Sequence, residues 1–299
     1  MISVIVPSFN SALTIETTLK ALARQTKASL IKEIIVVDSS TDKKTKMILS
    51  QRKPDKLKVL NGGIKIMPAR SRNIGAAEAK GKVLAFIDAD AYPDEIWLEE
   101  IFEAYQSGCR AGGGGIDVNK EQINNPIALA QFYLQFNEYI NTGERRIKSF
   151  VPACNLFCER QLFQKAGGFP EIRAAEDVLF GLEINKRSPL WFLPEAKVYH
   201  IFREKWGAFI RNQMLLGKYV SIYRQKHYGR FIYKGIIPLI FFPAFLLVKL
   251  SRIFVRIGKA GWVHIFRFIK VAPIFLSGLF FWSIGFINGC TTSNENFKY

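Results

Sequence analysis

Short runs of β-branched and aliphatic residues alternate with longer amphipathic segments through the first 90 residues. Four runs are typical of buried strands, at 2–6, 33–37, 57–60 and 83–87. Three segments follow helical periodicity, at 12–25, at 42–51 and from Pro68 to just before Gly81. Because strands that alternate with helices favour a mostly parallel sheet covered on both faces, the pattern predicts an α/β fold.

Pro7, Asp38 and the pair Asp88 and Asp90 follow three of these predicted strands. Ligands of parallel α/β sheets bind beyond the carboxyl ends of the strands, so we expect these residues to share one site. In an extended segment Asp88 and Asp90 would point to the same face and offer hard oxygen ligands to Mg²⁺ or Mn²⁺. The same spacing also occurs in ordinary surface loops, so it is the position after a strand that favours a metal site.

A second acidic pair, Glu176 and Asp177, opens an apolar segment. Acids there are typical of the first turn of a helix, where the dipole favours them. The functional alternative is a general base that takes a proton from an acceptor hydroxyl. His200 ends a strand-like run, and a neutral imidazole there is either structural or part of a metal shell.

Four consecutive glycines, Gly112 to Gly115, follow a predicted helix. Neither the spacing of a dinucleotide-binding loop nor a following Lys-Ser/Thr is present, so we predict a loop or strand-edge feature.

Taken together, these motifs resemble family 2 glycosyltransferases. Eight segments follow one another in the order of that family: ISVIVPSFN at 2–10, IVVDSSTD at 35–42, ARSRNIG at 69–75, FIDAD at 86–90, VPACN at 151–155, GGFPE at 167–171, ED at 176–177 and YH at 199–200. The resemblance covers about residues 1 to 225. It implies a GT-A fold, which is Rossmann-like, and a nucleotide-diphosphate sugar, UDP- or GDP-linked, as donor.

The resemblance also implies roles for individual residues. Asp38 would contact the nucleotide base or ribose, and Asp88 and Asp90 would hold the metal and the diphosphate. Asp177 matches the catalytic base beside Glu176, and His200 matches a further metal or diphosphate contact. The matched segments place four further residues in the nucleotide-sugar site: Pro7, Arg70, Asn73 and Asn155.

Two departures from the family pattern are visible. The segment that begins at Asp38 is one residue shorter than usual, which affects base selectivity, and Leu179 replaces a second acid after the Glu-Asp pair. The region 211–218 lacks the Q-x-x-R-W motif of processive synthases. We therefore predict an inverting, metal-dependent enzyme that adds a single sugar to a hydroxyl acceptor on a lipid or saccharide.

The charge of the chain is concentrated at its end. The formal net charge is +17, and residues 201–299 carry 15 Lys and Arg against 2 Asp and Glu. These cations are interleaved with Phe, Ile, Leu and Trp, which favours an anionic membrane over nucleic acid as partner. We predict a catalytic domain at 1–228 and a membrane-associating helical segment at 229–299.

The tail contains three distinct stretches. The apolar segment 235–248 is interrupted by Pro238 and Pro243 and is short for a span, so it is expected to be re-entrant or interfacial. Six cations between 249 and 270 recur at helical spacing on one face, and 271–290 is uncharged and long enough to span. If the first stretch also crossed, the six cations would lie on the far side from a cytoplasmic catalytic domain, which the positive-inside tendency opposes. We therefore expect one monotopic or re-entrant segment followed by one span or a second re-entrant element, with the catalytic domain facing the cytoplasm. A homo-oligomer packed through these segments is left open.

Two other classes of function are also considered. A nucleotidyltransferase would carry a Gly-rich, basic phosphate loop after the first strand, and 8–12 has neither glycine nor base. A non-catalytic, transferase-like membrane assembly factor would not need Asp88, Asp90 and Asp177, all of which are present.

Overall fold

A computed structural model describes residues 1–51, 56–63, 65–228 and 237–291. The chain forms two compact units. The first comprises Met1–Asp117 and Asn141–Ile201, and the second comprises Val118–Ile140 and the chain from Phe202 onward. The boundary expected at 228 falls inside the second unit, and a separation of chemistry from membrane association at that point stays a prediction.

The described residues contain nine strands and ten α-helices. The strands are β1 Ile2–Ser8, β2 Ile31–Asp38, β3 Leu57–Asn61, β4 Val83–Ile87, β5 Ala91–Pro93, β6 Ala111–Val118, β7 Arg146–Ile147, β8 Asn155–Glu159 and β9 Leu190–His200. The helices are α1 Ile15–Ala23, α2 Lys43–Gln51, α3 Pro68–Glu78, α4 Trp97–Gln106, α5 Pro126–Gln135, α6 Arg160–Lys165, α7 Glu176–Asn185, α8 Trp206–Tyr228, α9 Ile237–Lys259 and α10 Trp262–Thr291.

The sheet runs in the order β3-β2-β1-β4-β8-β6-β9-β5, and β7 also pairs with β9. The first four strands are mutually parallel, which confirms the predicted α/β class and all four predicted strands. β8 pairs antiparallel with β4 and β6, and β9 pairs antiparallel with β5 and β7. The apolar runs did not show this change of direction, because a buried run has the same composition in either orientation.

The register of the parallel strands aligns their carboxyl ends. Ser8 lies opposite Asp38, and Asp38 lies opposite Asn61. On the other side of β1, Phe86 pairs with Ile5, so Asp88 follows β4 at the same edge. The predicted convergence of the polar strand ends is therefore present.

The four glycines lie within β6, between β8 and β9, so the prediction of a loop or strand edge is wrong. A Cβ on Gly114 would lie 1.6 Å from the Ala196 carbonyl oxygen, and one on Gly113 would lie 2.2 Å from the Asn155 carbonyl oxygen. Glycine is required here because the neighbouring backbones approach too closely for any side chain.

The second unit combines α5, α8, α9 and α10 around one apolar cluster. Among the described residues only α10, over Trp262–Cys290, is both long and apolar enough to cross a membrane. The prediction that six cations share one helical face is wrong. α9 ends at Lys259, and Gly261 turns the chain with φ +95° before α10 begins. The predicted segment 235–248 lies in α9 from residue 237 onward, with Pro243 inside the helix, and residues 235–236 lie outside the described residues.

The close approach at β6 makes a direct prediction. Gly114→Ala should lower the free energy of unfolding by about 3 kcal/mol or more, because its Cβ meets immobile backbone. Urea denaturation measures this. Gly258→Ala is the control: nothing lies within 4 Å of a Cβ there, so the variant should be neutral or slightly stabilised. Equal effects of the two variants would contradict the packing argument.

Candidate active site

Asp38 ends β2 and is held by two serine hydroxyls. Ser8 Oγ donates to Asp38 Oδ1 over 2.9 Å, and Ser40 Oγ donates to the same oxygen over 2.6 Å. Asp38 as a whole is 7% exposed. This arrangement fixes its orientation at the open end of the parallel strands.

The loop after Asp38 is held by Asn10. Asn10 has φ 50°, a left-handed conformation that asparagine tolerates better than most residues. Its Oδ1 accepts hydrogen bonds from the backbone N–H groups of Thr41 at 2.9 Å and Asp42 at 3.2 Å. The shortened loop therefore has a defined shape that is fixed to the end of β1.

Asp88 and Asp90 lie in a turn, closed by the Ala91 N–H donating to the Asp88 carbonyl over 3.0 Å. The predicted extended segment is wrong, because a turn separates β4 from β5, which begins at Ala91. The two carboxylates consequently have different partners. Asp88 meets Arg72, and Asp90 Oδ1 lies 3.7 Å from His200 Nε2.

His200 reaches Asp90 through the sheet. β5 pairs antiparallel with the end of β9, and Ala91 lies opposite His200. The Ile201 N–H donates to the Asp90 carbonyl over 2.7 Å. The predicted association of Asp90 with His200 therefore follows from strand pairing across more than 100 residues of sequence.

Arg72, on α3, is the central charge of the site. Its Nη2 lies 2.5 Å from Asp88 Oδ1 and its Nη1 lies 3.0 Å from Glu176 Oε1, although the side chain is only 3% exposed. Burial by itself lowers the pKa of Arg72, but the charges of Asp88 and Glu176 outweigh it and raise that pKa above its usual value. Arg72 thus joins the strand-end acid to the acidic pair of α7.

An aromatic cluster lies beneath this ion pair. The Arg72 guanidinium is 5.6 Å from the centroid of the Phe169 ring, and Phe169 packs on Phe86 of β4 and Phe180 of α7 at 5.2 and 4.5 Å. The cluster ties the start of α7 to the central strand. It also excludes water from one side of Arg72, which strengthens its electrostatic interactions.

Glu176 and Asp177 open α7, after Ala175 with φ 69°. An alanine in this left-handed region is strained, and such strain clusters at functional sites. Burial and then the charge of Glu176 raise the pKa of Asp177 to about 7, against the opposing charge of Arg72. Folding therefore favours the neutral form of Asp177. The contribution of this group to folding stability is lost as the pH rises through about 7, because the group then ionises in the folded protein.

The other predicted residues have mixed surroundings. Arg70 is exposed and Pro7 is partly exposed. Asn73 exchanges two hydrogen bonds with the backbone of Phe169, at 2.8 and 2.9 Å. Asn155 is 1% exposed, donates to the Gly115 and Ala196 carbonyls and accepts from Trp97 Nε1. Asn73 and Asn155 thus hold backbone in place, and their contact with a nucleotide sugar stays a prediction.

Sequence reasoning missed Arg72 and Cys154. A usable signal existed for Arg72, since it lies three residues after Ala69 and four before Ala76 on the buried face of α3, where a charge needs a partner. Cys154 carried no such signal. Burial, and then the charges of Asp88 and Asp90, raise the pKa of its thiol, which keeps it protonated beside the acids.

Residues 3–167 match the model of the family "Glycosyl transferase family 2". Glycosyltransferase AglE of Haloferax volcanii is 28% identical over 172 residues, which cover 56% of this chain and 56% of that protein. The chain thus spans about half the length of this curated relative. The family model covers more than half of the chain, so the chain belongs to glycosyltransferase family 2, as the resemblance implied.

Solved structures agree on the fold. Mannosyltransferase PcManGT from Pyrobaculum calidifontis, in complex with GDP-Man and Mn²⁺, superposes with a TM-score of 0.60 at 17% identity, over 100% of this chain and 88% of that one. TarS 1–349 of S. aureus with UDP-GlcNAc gives 0.53 at 18% identity, over 95% and 89%. The expected GT-A fold is confirmed.

The ion-pair arrangement makes a prediction about stability. Arg72→Gln should lower the free energy of unfolding by on the order of 3 kcal/mol, because Asp88 and Glu176 lose their buried partner. Arg70→Gln, two residues away on the same helix and exposed, should change it by less than about 0.5 kcal/mol. Urea denaturation compares them, and similar losses for both would exclude Arg72 as the organising charge.

Proposed function

We propose that this chain transfers a single sugar from a nucleotide-diphosphate sugar to a hydroxyl acceptor at a membrane surface, with inversion of configuration. The observation that carries the proposal is the cluster formed by Arg72, Asp88, Glu176 and Asp177. It lies at the strand edge that also holds Asp38. It combines an acid with a raised pKa and carboxylates suited to a cation.

Asp177 is the proposed general base. A base is most effective when its pKa is near the working pH, and the pKa of Asp177 is raised to about 7. Asp177 would take the proton of the acceptor hydroxyl, whose oxygen attacks the anomeric carbon opposite the departing nucleoside diphosphate. Glu176 is committed to Arg72 and serves to position that charge and to raise the pKa of Asp177.

Asp88, Asp90 and His200 are the proposed contacts for a divalent cation, Mg²⁺ or Mn²⁺. Their carboxylate oxygens and imidazole nitrogen suit such an ion, and the Asp90–His200 separation of 3.7 Å brings two donors together. In the described part of the chain no three His, Cys, Asp or Glu side chains converge closely enough to hold a metal ion by themselves, and this includes Asp88, Asp90 and His200. Phosphate oxygens and water would therefore complete the shell, and a cation held there would neutralise charge on the leaving diphosphate.

The donor is proposed to be UDP- or GDP-linked. Support comes from the two structural neighbours, described with UDP-GlcNAc and with GDP-Man and Mn²⁺. The ordered carboxylate of Asp38 would contact the nucleoside, with Pro7, Arg70, Asn73 and Asn155 around the donor.

A lipid or saccharide acceptor at an anionic membrane, with the catalytic unit facing the cytoplasm, completes the proposal. It is supported by the apolar helix α10 and by the cations of α9 and α10. Positive segments favour the cytoplasmic side, whose leaflet is anionic.

The base role predicts a pH profile. Transfer should fall as the pH is lowered through about 7, since protonated Asp177 cannot accept a proton. Asp177→Asn should reduce kcat by about 10²–10⁴-fold and abolish that acidic limb. Glu183→Gln is the control, because this half-buried acid of the same helix pairs with Lys186 and not with Arg72. Near-normal transfer by Asp177→Asn would refute the base role.

The donor and metal proposals are tested together by thermal shift. A panel of UDP-, GDP- and dTDP-sugars with Mn²⁺ should reveal one donor class that raises Tm, since a ligand at 100 times its Kd stabilises by about 2.7 kcal/mol. The shift should shrink with EDTA and in Asp90→Asn, whereas Asp94→Asn should retain it. No shift with any donor would count against the proposed function.

A further inference from the structure

Helix α10 is mostly apolar and has two different apolar faces. Its inner stripe is buried in the second unit: Phe268, Val271, Phe275, Leu279, Trp282 and Phe286. Its outer stripe is exposed and recurs at spacings of four and three residues: Trp262, Phe266, Ile269, Pro273, Leu276 and Phe280. Four of these side chains are more than 60% exposed, so the stripe is a continuous apolar surface.

The inner face of α10 is closely packed on α8. A Cβ on Gly217 would lie 1.9 Å from the Trp282 carbonyl oxygen, and one on Gly285 would lie 2.0 Å from that of Met214. Gln225 Nε2 donates to the Gly289 carbonyl over 2.9 Å. Gly278 packs against Phe209, Gly285 against Met214 and Gly289 against Lys218, so α8 and α10 run parallel and in contact over several turns.

This packing decides how α10 can meet a bilayer. If α10 crossed the hydrocarbon, α8 would enter with it, because the two backbones are in contact. α8 carries three cations in the paired region, Arg211, Lys218 and Arg224, and it is not apolar enough to count as a candidate span. Charges of this kind are costly at the centre of a bilayer. A crossing by α10 is therefore disfavoured.

The outer face of α9 adds to the exposed apolar surface. Ile240, Leu247 and Phe254 recur every seven residues, as do Phe241, Val248 and Val255, and all six are exposed. Arg252 and Lys259 on α9 and Lys270 on α10 are exposed as well. Arg256 is instead paired with Glu138 at 2.5 Å.

The charges identify what covers this surface. Residues 237–291 contain six Lys and Arg and no Asp or Glu. In a symmetric dimer formed through α9 and α10, the cations of one copy would lie against the cations of the other. Neither helix has an acid that could pair with them. An anionic bilayer supplies both the apolar layer and the negative charge that this face lacks.

We propose that α10 lies along the surface of an anionic bilayer, with its outer stripe in the interfacial layer, and does not cross the membrane. This inference rests on the membrane association in the proposed function and is independent of the transferase chemistry. It replaces the two alternatives expected for 271–290, a span or a second re-entrant element, by an in-plane helix.

Depth measurements on the full chain test the orientation. An environment-sensitive fluorophore would be attached to a single cysteine introduced by Trp262→Cys, Ile269→Cys, Leu276→Cys or Phe280→Cys. The four native cysteines are buried, so the introduced cysteine is the site of labelling. The membrane is supplied by phosphatidylcholine vesicles that contain phosphatidylglycerol and lipid quenchers at known depths in the bilayer. Residues 262 and 280 are about 27 Å apart along a helix, nearly the hydrocarbon thickness. An in-plane helix gives one common depth, whereas a crossing helix gives depths that differ by most of that distance.

Leu13→Cys, 87% exposed in the first unit, is labelled in the same way as the reference position outside α9 and α10. Arg252→Gln, Lys259→Gln and Lys270→Gln should each weaken vesicle binding about fivefold, and neutral vesicles should bind less. The matched control is the exposed set Lys43→Gln, Lys44→Gln and Lys46→Gln on α2.

A graded depth profile, no binding to anionic vesicles, or self-association through the outer stripe in place of vesicle binding would each overturn the inference. A donor-induced thermal shift measured on the same preparations judges the transferase proposal separately.

Discussion

The candidate site depends on one buried positive charge, Arg72. Three carboxylates of two distant segments, Asp88, Glu176 and Asp177, lie within its electrostatic reach, and two of them pair with it directly. Without the guanidinium, mutual repulsion and desolvation would drive these acids apart or protonate them. The aromatic cluster around Phe169 makes the pairing strong because it keeps water away from one side of the charge.

The same constraint separates the roles of adjacent acids. Glu176 pairs with Arg72, whereas Asp177, one residue further along, is desolvated and its pKa is raised to about 7. Two neighbouring carboxyl groups in different surroundings are thereby suited to different tasks, one electrostatic and one proton-accepting. The strained Ala175 at the start of α7 is part of the local geometry that presents them.

Glycine has a common structural role in both units. In β6 it lets three strands approach around Asn155, and between α8 and α10 it brings two helix backbones into contact. The first contact builds the rigid sheet that carries the site. The second ties the apolar C-terminal helix to a polar one, and this limits how the apolar helix can meet a lipid bilayer.

Local pattern in the sequence determined the four parallel strands, the acids at their ends and the acidic pair of α7, because burial and helix dipoles act on a few consecutive residues. Tertiary structure decided what those residues contact. Arg72 and Glu176 are 104 positions apart, and His200 reaches Asp90 only through the pairing of β5 with β9. The antiparallel pairings of β8 with β4 and β6 and the glycine strand likewise depend on distant backbone. A buried charge, a close contact or a strand direction is set by partners that no local window contains, so the structure alone could assign them.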